Sequence, residues 1–252
     1  ALLWSIDGFL RQELYSVPAI VIVALEHSIG ALIFIPILLK SWKTIKVLGQ
    51  REWMAILWIA IFGGILGTFF YTKALGYINY INLSVVVLLQ KLQPVFAIAL
   101  SSIILKEKLS KRFISLAIVA ILGGYLVTFG SASTLVWNDK AIIASLLAIL
   151  SAFCWGSSTV LGKHALKILP YETVTSLRLS LTALFALLVL FATSEATTVL
   201  YLTTIQWQRV IMIVFSSGAV ALAIYYYGLE KLPASHTTIY ELAWPLSAVA
   251  LD

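Results

Sequence analysis

The sequence predicts an all-α integral membrane protein: a ten-helix bundle of two inverted five-helix repeats, with nine helices visible and the first and last of them partial. Three observations predict it. First, 61% of the 252 residues are hydrophobic and only 11% are charged, whereas a soluble domain carries about 25% charged residues. A single soluble core of this length has no way to hide that surplus, but lipid solvates apolar side chains directly. Second, the Lys and Arg residues fall in short clusters that alternate from one connection to the next. Third, the two halves of the chain match each other in order at nearly one offset.

A membrane-spanning helix needs roughly 20 mostly apolar residues. The opening run, 1–14, reaches Arg11 after ten residues and is read as a partial helix. The run 19–39 is followed by Lys40, Lys43, Lys46 and Arg51, and 53–77 comes next. The run 82–105 ends at Lys106, Lys108, Lys111 and Arg112, and 112–130 contains the uncharged stretch 114–127. Lys140 precedes 140–166, whose stretch 141–153 is uncharged, and Lys163 and Lys167 close it. The segments 172–193, 207–231 and the partial 234–252 complete the series. No period-two alternation runs through these segments, which argues against a β-barrel. Numbering the connections alternately places eleven Lys and Arg on one side and Arg11, Lys140 and Arg209 on the other. The richer side is predicted to be cytoplasmic.

The internal match joins Trp4 to Trp155, Ser84 to Ser235 and Pro94 to Pro245 at an offset of 151. It joins 24–29 to 176–181 at 152, and Gly64 to Gly218 and Tyr71 to Tyr225 at 154. A repeat of five helices enters the membrane from opposite sides in its two copies, an architecture used by many secondary transporters. The expected units are 1–130 and 131–252, with a tenth helix completing the second.

Tyr71 with Ala74-Leu75 and Tyr77, Asn82-Leu83-Ser84, Leu92-Gln93-Pro94-Val95-Phe96-Ala97 and Leu105-Lys106-Glu107-Lys108-Leu109-Ser110 resemble the EamA-type branch of the drug/metabolite transporter superfamily. Gly123-Gly124 with Val127, and Trp155-Gly156, Arg178 and Pro245 in the second half, fit the same pattern across essentially the whole chain. The resemblance implies ten helices with both termini of the intact protein cytoplasmic, a multi-pass prokaryotic plasma-membrane location, and export of amino acids or other metabolites. The chain departs from the pattern at Glu26, where an Arg like Arg178 is expected, and in the polar group Lys73, Gln90, Lys91 and Gln93.

Ionisable groups at membrane depth cost roughly 2.5–3.5 kcal/mol each on insertion scales, so they imply function or a partner. Glu26 and Arg178 occupy matching positions, and Lys91 lies one residue from Gln90, the match of Glu241. The expected pairs are Glu26 with Lys91 and Arg178 with Glu241, or the crossed set, around a central cavity. The plainer alternative is that each pair only ties its own half together. Gln90 and Gln93 share a helix face beside the bend expected at Pro94. His236, Tyr240 and Trp244 form a stripe at four-residue spacing next to Glu241 and Pro245. Aromatic walls with a few polar groups suit a zwitterion or organic cation, while the bland reading is packing, or for His236 a helix-end residue. Trp4 and Trp155 either line the cavity or fill helix contacts. Lys73 is read as snorkelling to water, Asp7 as solvated near the surface, and Gly63, Gly64 and Gly67 as close-packing positions.

The implied partners are a small-molecule substrate and the lipid bilayer, with the chain a monomer or homodimer, and with either proton coupling or uniport. One cysteine, Cys154, excludes an internal disulfide and a metal site of Cys ligands, and no cofactor is called for. No basic run with interleaved aromatics points to nucleic acid. A sugar-phosphate or nucleotide-sugar antiporter is the neighbouring alternative. A membrane enzyme lacks a visible catalytic constellation, with no HExxH and no paired intramembrane Asp.

Overall fold

The computed structural model describes residues 2–77, 83–129 and 139–243. All regular structure among them is helical. Helix α1 is a pair of short pieces, Leu2–Ser5 and Asp7–Gln12. It is followed by α2, Ala19–Lys40, and by α3, Gln50–Leu75. Helix α4 comes in two parts, Leu83–Gln90 and Gln93–Leu100 with a terminal wide turn Ser101–Leu105. Then come α5, Lys111–Phe129, α6, Asp139–Ala165, and α7, Tyr171–Ala192. Helix α8 is again in two parts, Thr204–Phe215 and Ala219–Lys231, and α9 is Ala234–Glu241. These fall on the nine expected runs. Six of them, those of α2, α3, α4, α6, α7 and α8, are long and apolar enough to cross a membrane. Trp244 and Pro245 lie outside the described residues.

The bundle is organised around α6 and α7. Helix α7 packs along α2, and α6 packs along α3 and α4. One core joins Val21, Ile22, Val23 and Ala24 of α2 to Ala186 and Leu190 of α7 and Ile213 of α8. A second joins Ile56 and Ile59 of α3 to Val160 of α6, Val174 and Leu177 of α7, and Tyr226 and Leu229 of α8. Outward-facing Leu32, Leu39, Ile103, Val119, Leu188 and Phe191 are exposed, which suits a hydrocarbon surrounding.

Three helices depart from regular winding, and each departure has a local cause. In α4 the first part ends at Gln90 and the second begins at Gln93, with Pro94 in its first turn, where it lacks an N–H that a continuous helix would need. In α3, residues Ile59–Leu66 form wide π turns around Gly63 and Gly64, and neighbouring side chains hydrogen-bond to carbonyls in and just after them. Thr182 Oγ1 donates to Ala60 O (2.9 Å), and Ser151 Oγ to Gly67 O (3.0 Å). The missing side chains matter for the fit: a Cβ on Gly63 would sit 2.1 Å from Ser158 Oγ, and one on Gly64 would sit 2.0 Å from Thr182 Oγ1. In α8 the chain breaks over residues 216–218, where the Gly218 N–H donates to Ile213 O at 2.7 Å.

The α4–α5 connection fastens α9. Lys106 adopts a left-handed conformation (φ 56°), and Glu107 then caps the N-terminus of α9. Its carboxylate accepts from Ala234 N (2.8 Å), Ser235 N (3.2 Å) and Ser235 Oγ (2.6 Å). Burial pushes this carboxyl up, but the hydrogen bonds outweigh it and hold the group below the usual range. A depressed carboxyl stabilises the fold above its unfolded pKa and loses that contribution as pH falls through the folded value. Glu107→Ala is therefore expected to cost about 1 kcal/mol at neutral pH. Thermal unfolding in detergent should show the difference from wild type vanishing as pH is lowered below the ordinary carboxylate range.

Candidate functional site

A cavity of about 160 Å³ opens where α1, α2, α3, α4, α6, α7, α8 and α9 converge. Helix α1 supplies Trp4, Asp7 and Arg11 to its wall, α2 supplies Glu26 and His27, and α3 supplies Thr68 and Tyr71. Helix α4 adds Gln90 and Gln93, α6 adds Trp155, Ser158 and Thr159, α7 adds Arg178, α8 adds Ser217 and Tyr225, and α9 adds Glu241.

The charges are compensated differently from the expected pairs. Glu26 pairs with Arg11, whose Nη1 lies 2.8 Å from Glu26 Oε1 and whose Nη2 donates to Oε2 at 3.1 Å. Arg11 Nε also donates to Asp7 Oδ2 (2.6 Å), and Nη1 to Thr72 Oγ1 (3.2 Å). Arg11 is only 5% exposed, so its reading as a surface cation and the reading of Asp7 as a solvated acid are both corrected. The reason is one of spacing and charge. Asp7 and Arg11 sit four apart on one face of α1, and a desolvated Glu26 requires a close, hydrogen-bonded cation. Arg178 has no acid partner among the described residues. Its Nη2 donates to Gly63 O (2.8 Å), its Nη1 to the Tyr226 hydroxyl (3.0 Å), and its guanidinium stands over the Tyr226 ring. The wide turns of α3 supply that carbonyl.

Glu241 faces an amide chain. Gln93 Nε2 donates to Glu241 Oε2 at 2.6 Å, and Gln90 Nε2 donates to Gln93 Oε1 at 2.8 Å. Lys91 is buried behind this wall and interacts electrostatically with Glu241, which is the crossed member of the expected set. The interruption of α4 turns both glutamines inward. The described members of the expected aromatic stripe of α9, His236 and Tyr240, do not line the cavity. His236 stacks on Phe113 (ring centroids 4.5 Å apart), and Tyr240 is 61% exposed. The buried residues of α9 are instead Ala234, Ser235, Thr237 and Thr238, and Glu241 is its residue on the cavity wall. Lys73 is exposed.

The two tryptophans line the cavity and anchor it. Trp4 Nε1 donates to Ser217 O (2.9 Å) at the break in α8, and its ring lies 5.3 Å from that of Tyr225. Trp155 Nε1 donates to Gly63 O (3.0 Å) in the wide turns of α3, and its ring lies 5.3 Å from that of Tyr71. Residues not singled out as site candidates from sequence are Asp7, Arg11, His27, Thr68, Tyr71, Ser158, Thr159, Ser217 and Tyr225. The Asp7–Arg11 spacing and the match of Tyr71 to Tyr225 were the available signals.

Comparison with known proteins agrees with this architecture. The chain is 37% identical over 256 residues to the riboflavin transporter ImpX of Fusobacterium nucleatum subsp. nucleatum, covering all of this chain and 85% of the relative. It is 26% identical over 259 residues to the protein LicB of Haemophilus influenzae, again across all of this chain and 85% of the relative. A solved crystal structure superposes with a TM-score of 0.76 at 19% identity, covering 99% of this chain and 83% of that one, and so shares its fold. The model of the EamA-like transporter family matches residues 1–129 and 142–252. The chain is a multi-pass helical membrane protein that belongs to the EamA-like transporter family.

Proposed function

We infer that this chain is a secondary transporter of riboflavin or a close heteroaromatic relative, working by alternating access between two inverted repeats, 1–130 and 131–252. The observation that carries the mechanism is the pair of mirrored joints on the cavity. Trp4 meets the break of α8 beside Tyr225, and Trp155 meets the wide turns of α3 beside Tyr71. Two equivalent joints at irregular helix segments are what exchange between outward-open and inward-open states requires.

The wall chemistry supports the substrate class. Trp4, Tyr71, Trp155 and Tyr225 offer flat aromatic faces, and Gln90, Gln93, Ser158 and Thr159 offer neutral hydrogen-bonding groups. The carboxylate and guanidinium lining residues are three acids, Asp7, Glu26 and Glu241, against the two bases Arg11 and Arg178, with the imidazole of His27 beside them. That balance has no surplus positive charge to hold a phosphate dianion, which disfavours the sugar-phosphate alternative. A planar, uncharged flavin suits it, and the 37% identical riboflavin transporter points the same way. A second reading, an amino acid or similar zwitterion, is favoured by one feature: Arg178 is answered by a carbonyl and a phenol rather than by an acid.

The test is uptake into proteoliposomes holding the purified chain, with riboflavin, an amino-acid panel and a sugar phosphate offered in parallel. Saturable riboflavin uptake abolished by competing flavin is expected. Uptake of amino acids alone establishes the second reading, and uptake of sugar phosphate alone overturns both. Repeating the assay with an imposed pH gradient separates coupling modes. Acceleration identifies buried carboxylates such as Glu26 and Glu241 as candidate proton carriers, and indifference identifies a uniporter. The eleven-to-three distribution of Lys and Arg supports a plasma-membrane orientation with the α2–α3 connection cytoplasmic.

A further inference from the structure

Besides the carboxylate oxygens Glu26 Oε1, which is ion-paired with Arg11, and Glu241 Oε1, three hydrogen-bonding atoms on the cavity wall have no hydrogen-bond partner among the described residues: Gln90 Oε1, Ser158 Oγ and Arg178 Nε. Their residues are 4%, 2% and 8% exposed. Buried polar groups are normally satisfied, and leaving one unpaired costs about 1–3 kcal/mol. Three such atoms on one cavity therefore describe a ligand by complementarity.

Their chemistry is defined. Arg178 Nε is a donor only, and Ser158 Oγ can give or take. Both crowd Gly63, where an added Cβ would lie 2.1 Å from Ser158 Oγ and 3.0 Å from Arg178 Nη2. Gln90 is normally ambiguous, because a carboxamide can turn over. Here the chain behind it removes the ambiguity. The Glu241 carboxylate accepts, so Gln93 presents its amino group to it at 2.6 Å. The Gln93 oxygen must then face Gln90, which answers with its own amino group at 2.8 Å. The oxygen of Gln90 is what remains.

We propose that the relay Glu241–Gln93–Gln90 fixes an acceptor on the cavity wall that, together with the donors Arg178 and Ser158, reads an N–H adjoining a carbonyl: the imide edge of a cyclic heteroaromatic substrate. Glu241 is a positioning residue in this scheme, acting through two amides on a group it does not touch. The inference rests on the flavin reading above and deepens it, since the isoalloxazine ring carries one N–H between two carbonyls. It also predicts that a donor-poor edge at the same place is rejected, because the Gln90 oxygen would then be buried without a proton.

The experiment compares binding of riboflavin and 3-methylriboflavin, in which the imide N–H is replaced by a methyl group, to the purified full chain, followed by quenching of flavin fluorescence. Wild type is expected to bind the methyl compound at least about tenfold more weakly. In Glu241→Gln the relay has an amide in place of an obligate acceptor and can reverse, so the methyl penalty should fall to about threefold or less while riboflavin still binds. Equal binding of the two flavins by wild type overturns the proposal while leaving riboflavin transport intact. A full penalty retained in Glu241→Gln overturns the role of the relay. Failure of wild type to bind riboflavin at all overturns both this inference and the reading beneath it. The ligand comparison on the unmodified chain stands even if the variant does not fold.

Discussion

Replacing Arg11 with methionine is expected to lower unfolding stability by about 3–5 kcal/mol. The guanidinium is shared by Asp7 and Glu26 and touches Thr72, all within 3.2 Å. Methionine keeps much of the volume but removes every donor. Two carboxylates would then face each other in a region with little water, which is the costliest outcome available to a buried ion cluster. The measurement is denaturant or thermal unfolding in detergent. Glu26→Gln added to Arg11→Met should recover part of the loss, because the amide needs no counter-charge. An Arg11→Met chain as stable as wild type would show that the cluster is hydrated and weak.

The second large effect is expected at Gly64. A methyl group there meets Thr182 Oγ1 at 2.0 Å and Cγ2 at 2.5 Å, far inside contact distance. Helices α3 and α7 would have to separate, breaking the Thr182–Ala60 hydrogen bond and shifting the carbonyls of the wide turns. Overpacking of this kind costs about 1–3 kcal/mol. Gly64→Ala should therefore show a lower melting temperature and lower membrane yield. Thr182→Gly in the same chain should restore at least half of the loss, since it removes all three of the contacting atoms. Restoration by a substitution outside this contact, and not by Thr182→Gly, would place the strain elsewhere.

How much of this was legible in the sequence differs by level. Helix positions were readable because an apolar run of membrane length bounded by Lys or Arg is a one-dimensional signal. Glu26, Gln90, Gln93, Arg178 and Glu241 were readable as cavity candidates because a polar group at membrane depth stands out against its neighbours, and all five line the cavity. Their partners were not readable. Arg11 lies at the end of a short opening run, so charge counting placed it outside, and only three dimensions show it aimed at Glu26. The carbonyl that answers Arg178 is that of Gly63 within the wide turns, and backbone carbonyls leave no mark in a sequence beyond Gly63 itself and the neighbouring Gly64. The His236–Tyr240 stripe shows the complementary limit. Four-residue spacing says that two side chains share a face of α9 but not which way that face points, and here it points away from the cavity.

The joint between Trp4 and Ser217 has a sequence separation of 213. Asp7 reaches Ser217 Oγ across 210 residues. Synthesis runs from the N-terminus at a few residues per second, of the order of 5–20. Helix α1 thus leaves the ribosome well before α8, and although Arg11 can meet Glu26 as soon as α2 is made, the Trp4 and Asp7 contacts wait many seconds, until the broken segment of α8 has entered the bilayer. During that wait the indole has no native acceptor, and the acid of α1 has its Arg11 donor but not that of Ser217. Helix α1 is thus fully seated only after α8, and a nascent chain stalled before residue 217 should hold the Trp4 end of α1 loosely enough for crosslinking to lipid or to the insertion machinery.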